Sequence, residues 1–342
     1  MKIWIDLTSL PHIHFFRAFI KNMGSAGNDV LVTSREFGMM NDILDKNGID
    51  YVSVGSHGGK DLESKLVKSS ARISELAKLI SREKPDIGLS KHSVECARVS
   101  FGLGIPSIMV MDHETANAAM RLMVPLTGHI VAPKAIPLKY LTHLGAQGVS
   151  QFYGVCELAH FYDFKPKDDV LEELGLRKGR KIVIARSEPM LSAHNDHESR
   201  LYGVLEGILK SRDDVDIVFI PRGESDTGKF SKLDLFVPEE SVDTLSLYSF
   251  ANLMIGAGSC MNREASIGGC PTISICPDKL PAVDRLLISK GVMWHSLDKE
   301  RILRMATDVL AGKMSNGSGM DVIDDFGDPY VMINEAMRRM AR

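Results

Sequence analysis

Leu253-Met-Ile-Gly-Ala-Gly-Ser-Cys-Met-Asn-Arg-Glu-Ala-Ser-Ile-Gly-Gly-Cys-Pro271 is the stretch on which the reading of this chain turns. An apolar run ends at Ile255, the small residues Gly256, Ala257 and Gly258 follow, and a helix begins near Ser259. Strand, tight turn and helix are the repeating half of a parallel α/β layer. The bare N–H groups and positive dipole end at such a helix start favour a phosphate group. Glu264, about one and a half turns into the helix, suits a sugar diol next to that phosphate; equally, it reads as an exposed acid of a plain capping turn.

The same alternation spreads to both sides. Lys2–Ile5, Val30–Thr33, Tyr51–Val54, Asp86–Leu89, Ser107–Val110 and His129–Ala132 read as strands, with helices at 12–24, 36–46, 61–83, 93–102, 114–123 and 137–144. A linker near 155–178 carries one short helix around 168–174. The pattern then restarts with strands Lys181–Ala185, Ile217–Ile220, Leu233–Phe236, Leu253–Ile255 and Thr272–Ile275. Helices are expected near 196–210, 243–250, 262–268, 281–290 and 298–311, and an amphipathic tail helix over 328–342. Nearly continuous apolar strands imply parallel sheets covered on both faces. The expected organisation is an N-terminal Rossmann-like domain over 1–160, a second over 161–327, and the tail helix returning to the first. Open sheets of this kind bind ligands at the carboxyl ends of their strands, which places a cleft between the two domains.

Composition narrows the function. At 342 residues, 44% hydrophobic and 25% charged, the chain has the make-up of a globular protein of about two domains. A net charge of −3 excludes a broadly basic surface for nucleic acid. The five cysteines are scattered and form no C-x-x-C pair, which suits reduced, buried thiols and neither a disulfide framework nor a zinc ribbon. Asp6 interrupts the run a signal peptide would need, and no apolar stretch approaches the roughly 20 residues of a membrane helix; a cytoplasmic location is the expectation.

Three motifs fail on inspection. After the first strand stands Asp6-Leu-Thr-Ser-Leu-Pro-His-Ile-His14, without the glycines of a dinucleotide fold. Gly223-Glu-Ser-Asp-Thr-Gly-Lys229 fits G-x-x-x-x-G-K, but Phe230 stands where a P-loop needs Ser or Thr for magnesium. His194-Asn-Asp-His197 has two imidazoles and a carboxylate but no third strong ligand nearby, so no metal site is expected.

The Gly256–Pro271 segment resembles the nucleotide-sugar motif of the GT-B glycosyltransferase superfamily, which includes the lipid II-forming N-acetylglucosaminyl transferase and UDP-N-acetylglucosamine 2-epimerase. More closely, the chain resembles a prokaryotic family, frequent in archaea, called domain of unknown function 354. Ile5-Asp-Leu-Thr-Ser-Leu-Pro-His-Ile-His-Phe-Phe16, Ala97-Arg-Val-Ser-Phe-Gly-Leu-Gly-Ile-Pro106, Val237-Pro-Glu-Glu-Ser241 and the Gly256 loop carry that resemblance over nearly the whole chain. It implies a GT-B architecture: two Rossmann-like domains, the donor site in the second, and a last helix crossing back. It also implies that Glu264 holds the ribose hydroxyls of a nucleotide-sugar. Gly256, Gly258, Ser259 and Asn262 would surround the diphosphate, with Arg186 and Arg222 adding cationic charge; each arginine reads equally as an ion-pair partner.

On the first-domain side, His12 stands where the transferase has a Gly-Gly-His. It either orients a phosphate oxygen, acts as a general base, or simply fills the first helical turn after Pro11, and His14 shares these readings more weakly. Asp112, in Asp112-His113-Glu114 after a strand end, is either the base for an acceptor hydroxyl or the N-cap of the 114–123 helix. Lys91, His92 and Glu95 are secondary candidates. The epimerase's His-Arg-Arg-Glu is replaced here by Arg186-Ser-Glu188, and its Gly-Asp-Thr by Lys91-His92-Ser93, which favours a transferase over an epimerase. A non-catalytic nucleotide-binding protein is the third reading. The expected enzyme uses no cofactor and no metal, takes a nucleotide-sugar, most simply a UDP-sugar, as donor, and a sugar or lipid-linked acceptor. Arg338, Arg339 and Arg342 on the tail helix suggest a peripheral contact with an anionic membrane surface.

Overall fold

The structure is a computed structural model describing residues 1–177, 179–187, 200–222, 228–239, 242–315 and 324–340. The chain forms two compact units, Met1–Asp163 together with Phe326–Arg342, and Phe164–Asp325.

The first unit is built on seven parallel strands: β1 (Lys2–Asp6), β2 (Asp29–Glu36), β3 (Val52–Ser56), β4 (Ile87–Lys91), β5 (Ser107–Val110), β6 (His129–Pro133) and β7 (Val149–Phe152). They lie in the order β3-β2-β1-β4-β5-β6-β7. The order reverses at β1 and β4, registered Ile3 to Ile87 through Asp6 to Ser90. At such a switch point successive connections leave to opposite sides and open a crevice at the carboxyl ends. Helix Leu10–Ser25 places Ile13, Phe15, Phe16 and Phe19 in a core with Ile3, Ile5 and Leu89. The tail helix Pro329–Met340 buries Tyr330, Ile333, Ala336 and Met337 in the same core. The Tyr330 hydroxyl donates to the Phe15 carbonyl and accepts from the Phe19 N–H, fastening the end of the chain to its beginning.

The second unit has five parallel strands: β8 (Lys181–Arg186), β9 (Val215–Ile220), β10 (Leu253–Gly256), β11 (Thr272–Ser274) and β12 (Trp294–His295), in the order β12-β11-β10-β8-β9. Its switch point lies between β8 and β10, where Arg186 is registered against Gly256. Helices Arg200–Ser211 and Lys299–Leu310 cover the sheet with Leu201, Val204, Ile208, Ile302 and Leu310.

Expected and observed elements differ in instructive places. Leu233–Phe236 is not a strand: only Phe236 bridges to Val218, and Pro238 has no N–H with which to extend a ladder. The 114–123 helix begins instead at Asn117. Strands β7 and β12 escape the sequence pattern because each is short and partly polar at a sheet edge. Of the expected 196–210 helix, residues 196–199 lie outside the described residues. Four of the five cysteines are buried and all are free, and burial pushes the Cys96 and Cys270 thiols well up, so they are packing groups.

Candidate functional site

In the second unit, the switch point brings the sequence-nominated residues together. Gly258 is the N-cap of helix Ser259–Ile267 and offers no side-chain cap. The opening N–H groups of that helix lack intrahelical acceptors. Asn262, fully buried one turn in, donates from Nδ2 to the Gly256 carbonyl at 2.8 Å and so holds the turn closed. A Cβ on Gly256 would stand 2.4 Å from Asn262 Oδ1 and 2.7 Å from Met254 Cε, so glycine is required there for space. Asn262 is thus a brace of the turn.

The two arginines meet the same turn from neighbouring strands. Arg186, at the end of β8, donates from Nη1 to the carbonyls of Pro221 at 2.8 Å and Ile220 at 3.3 Å. Arg222, just beyond β9, donates from Nε to the Ser187 carbonyl at 2.9 Å. A Cβ on Gly258 would lie 3.0 Å from Arg222 Nη2 and 3.9 Å from Arg186 Cγ, so both side chains flank the glycine turn. These carbonyl contacts fix where the two guanidiniums stand.

Glu264 is buried, which overturns the reading as an exposed capping-turn acid. Tyr248 shows what it is buried beside: burial pushes that phenol well up, and the negative charge of Glu264 adds to the effect. Behind the helix, Arg263 and Asp284 form a buried pair at 3.7 Å that joins it to the helix Ala282–Ser289. Phe230 is stacked on Phe219 with centroids 4.3 Å apart, a core residue where a P-loop would need a hydroxyl. Residues 223–227 of that motif, and His194-Asn-Asp-His197, lie outside the described residues.

The first unit gathers charge at the carboxyl ends of β1, β4 and β5. Asp6, wholly buried, accepts from Arg72 at 2.6 and 3.1 Å, from Ser93 Oγ at 2.5 Å and from Thr33 Oγ1 at 2.6 Å. Burial alone would push its carboxyl up; the Arg72 guanidinium and the two hydroxyls outweigh this and hold it below the usual range. Glu95, a secondary candidate in the sequence, belongs to this framework, 3.7 Å from Arg72 and accepting from Ser69.

His12 is the third residue of helix Leu10–Ser25, its N–H donating to Ser9 O at 3.0 Å. Its Nδ1 accepts from the Thr8 N–H at 3.2 Å, which leaves the ring proton on Nε2. Burial pushes the imidazole well down, and the charges of Lys91 and His92 push it further. His12 is therefore a neutral N–H donor at this edge, suited to orienting an oxygen and unsuited to removing a proton. His14 faces elsewhere, against His160 at 5.7 Å.

Asp112 does not cap a helix, since the next helix starts at Asn117 with Ala116 before it. Its Oδ2 lies 2.8 Å from the buried Lys91 ammonium, and its Oδ1 lies 2.9 Å from His92 Nε2 and 3.8 Å from His113 Nε2. The rings of His92 and His113 stack at 4.6 Å and 11°. His92, between β4 and the helix capped by Ser93, has φ of 53°. That left-handed conformation costs a residue with a Cβ about 1–2 kcal/mol. His92, Asp112 and His113 place one ligand atom each within 4.8 Å of one another, a set that also suits a transition metal. Here Lys91 already supplies the cation that Asp112 requires. The sequence ranked His92 below His12 and Asp112 because nothing local reveals that β4 and β5 are neighbours.

The profile of a family described as "Protein of unknown function (DUF354)" matches residues 1–340. The chain belongs to this family. A Methanocaldococcus jannaschii protein, itself described as uncharacterised, is 36% identical over 319 residues, covering 92% of the DUF354 chain and 93% of its own. The UDP-GlcNAc 2-epimerase of Neisseria meningitidis, solved bound to UDP-GlcNAc, superposes with a TM-score of 0.74 at 12% identity, covering 99% of this chain and 100% of that one. The glycosyltransferase VinC, solved in complex with dTDP, superposes with a TM-score of 0.64 at 13% identity over 100% and 99% of the two chains. At these identities the likeness is one of fold: the DUF354 chain has the GT-B fold of two parallel-sheet α/β domains. Among its described residues, no helix is long and apolar enough to cross a membrane.

Proposed function

We propose that the chain is a metal-independent glycosyltransferase that takes a nucleoside diphosphate sugar, most simply a UDP-sugar, as donor. One observation carries the reading: at the β8/β10 switch point, Arg186 and Arg222 flank a glycine turn that opens into a helix without a side-chain cap. Backbone N–H donors at Gly258 and Ser259 and two permanently charged guanidiniums suit a diphosphate, which must be bound first and then stabilised as it leaves. Glu264 in the same helix is the partner for the ribose hydroxyls. In the first unit, His12 orients an oxygen of a sugar or lipid-linked acceptor, and Asp112 is the group to take its proton. A cytoplasmic location accords with an acceptor reached from the side where nucleotide-sugars are made.

Calorimetry with UDP-, GDP-, CDP- and dTDP-sugars on wild type beside Arg186→Ala and Glu264→Ala tests the donor site. Binding of one nucleotide class, weakened in both variants, is expected; an equal response to every nucleotide, unchanged in the variants, overturns the reading.

A 2-epimerase is the second reading, favoured by the number of titratable groups around Asp112. Incubation with the bound sugar nucleotide in deuterated water separates the two. Deuterium at C2 of recovered donor marks an epimerase; transfer to an acceptor or to water, without exchange at C2, marks a transferase.

A further inference from the structure

We propose that the N-terminal turns of helix Leu62–Glu83 dock the protein on an anionic membrane surface. The inference concerns the first unit alone and stands independently of the reaction assigned above. The helix has 22 residues and so runs about 33 Å, whereas β3, whose carboxyl end feeds it, spans about 17 Å over five residues. The sheet therefore backs only part of the helix. Leu62, Leu66, Ser69, Ile73, Leu76 and Ile80 follow one another at alternating steps of four and three, which places them in one stripe. The later half of the stripe is covered: Leu76 and Ile80 are buried with Trp4, Val54 and Val99, and Ile73 packs against them. The first half is bare. Leu62 is 80% exposed, Leu66 70%, and Val67 beside them 58%. Every position from 60 to 68 is exposed. These turns are nonetheless held helical by Asp61, which caps them by accepting from the Ser64 N–H at 2.7 Å.

Contiguous apolar surface left bare marks an interaction site, and more of it lies at the same corner. Gly58 sits so close to the helix that a Cβ there would stand 2.5 Å from Lys65 Cα, and the ring of the preceding His57 lies 4.4 Å from that of Phe37. Phe37 and Met39 are each 41% exposed. Lys60, Lys65 and Lys68 are spread along the exposed stretch; its acids are Glu63 and Asp61, whose carboxylate is engaged in the cap. This charge pattern decides between occupants. On the helix, Lys65 flanks the stripe on one side and Glu63 on the other. An antiparallel pairing with a second copy sets Lys65 against Lys65 and Glu63 against Glu63; a parallel one sets Lys65 against Ser70. Neither neutralises a lysine. A bilayer with anionic headgroups takes the leucines into its acyl boundary, and the long lysine stems keep their ammonium groups at the level of the lipid phosphates. Arg338 and Arg339 of the tail helix stand at the opposite edge of the sheet. Met340, next to them, lines a cavity with Met1 and Asp86, which precede β1 and β4.

Flotation of the whole chain with vesicles tests the docking face. Wild type should bind vesicles of phosphatidylcholine mixed with phosphatidylglycerol, bind phosphatidylcholine alone weakly, and be released by salt. Leu62→Gln combined with Leu66→Gln should lower partition onto the mixed vesicles about ten-fold or more. Lys65→Gln combined with Lys68→Gln should also lower it about ten-fold and remove most of the salt dependence. Glu63→Gln should raise it about three-fold. These positions are exposed and glutamine is a good helix former, so each variant should melt within about 3 °C of wild type. Arg338→Gln combined with Arg339→Gln should bind as wild type does. Absence of wild-type binding at low salt overturns the proposal, as does binding that the leucine pair leaves unchanged. A dimer in sedimentation equilibrium that the leucine pair dissociates assigns the stripe to a second copy and overturns it too. Calorimetry with sugar nucleotides, run without vesicles, should give the same result for wild type and the leucine pair. Failure of the docking face and failure of the donor site are thereby read separately.

Discussion

The carboxyl edges of the two sheets are built from opposite materials. In the first unit the edge is a set of buried side-chain charges: Asp6 with Arg72 and Glu95, then Lys91 with Asp112 and His92. In the second it is a glycine turn, a helix N-terminus and two arginines tethered to carbonyls. Imidazoles exchange protons near neutral pH and carboxylates a few units below it; peptide N–H groups and guanidiniums do neither. One edge carries groups that can change protonation state, and the other carries donors that keep theirs.

Variants can break that contrast. The largest effect is expected from Asp6→Asn, which leaves the buried Arg72 with only the more distant Glu95 at 3.7 Å and should cost about 3 kcal/mol in denaturant unfolding. Because Asp6 is held below its ordinary 3.8, its contribution is present above that value and is lost as the pH falls through the lowered folded-state value. Acid titration of unfolding should show this loss in wild type and not in Asp6→Asn.

Next comes the anion side. Gly258→Val sits on an extended backbone that tolerates valine, but its side chain must displace Arg222, so sugar-nucleotide affinity should fall about 100-fold, roughly 2.7 kcal/mol, while unfolding changes little. Arg186→Ala should cost about ten-fold in the same calorimetric assay, consistent with one charge-assisted contact. Neither variant should change how binding responds to pH between about 6 and 9, since arginine stays protonated throughout. A pH-dependent loss would erase the contrast between the edges.

The smallest effect belongs to His12. Its folded-state pKa lies well below 6.5, so the unfolded chain takes up a proton first as the pH drops. Stability should decline below pH 6.5 by at most about 1.4 kcal/mol per pH unit, until the folded-state value is reached. His12→Gln should flatten that slope in thermal melts.

Several features were legible locally. Apolar runs such as Ile87–Leu89, followed by helical spacing, sufficed for parallel sheets, because a strand buried on both faces needs no polar alternation. Gly256 marked the turn, since nothing larger fits where Asn262 and Met254 close on it. Asp112 was legible as a strand-end acid with a cap as its alternative, and the cap reading falls because capping depends on where the chain next turns helical, which it does only at Asn117. Glu264 was legible as a candidate, but its burial was not: that follows from the neighbouring Tyr248, supplied by a helix that precedes β10.

The linear order of residues, through periodicity and turn chemistry, determined that this chain forms two parallel α/β sheets and that a tight glycine turn lies after Ile255. Tertiary structure alone decided which charges face each other. Lys91 and His92 end one strand, Asp112 follows another, and only the side-by-side pairing of β4 with β5 brings an ammonium, a carboxylate and an imidazole within hydrogen-bond reach. Strand formation is governed by residues close in sequence, whereas the electrostatics of a site depend on distances between residues that are remote along the chain.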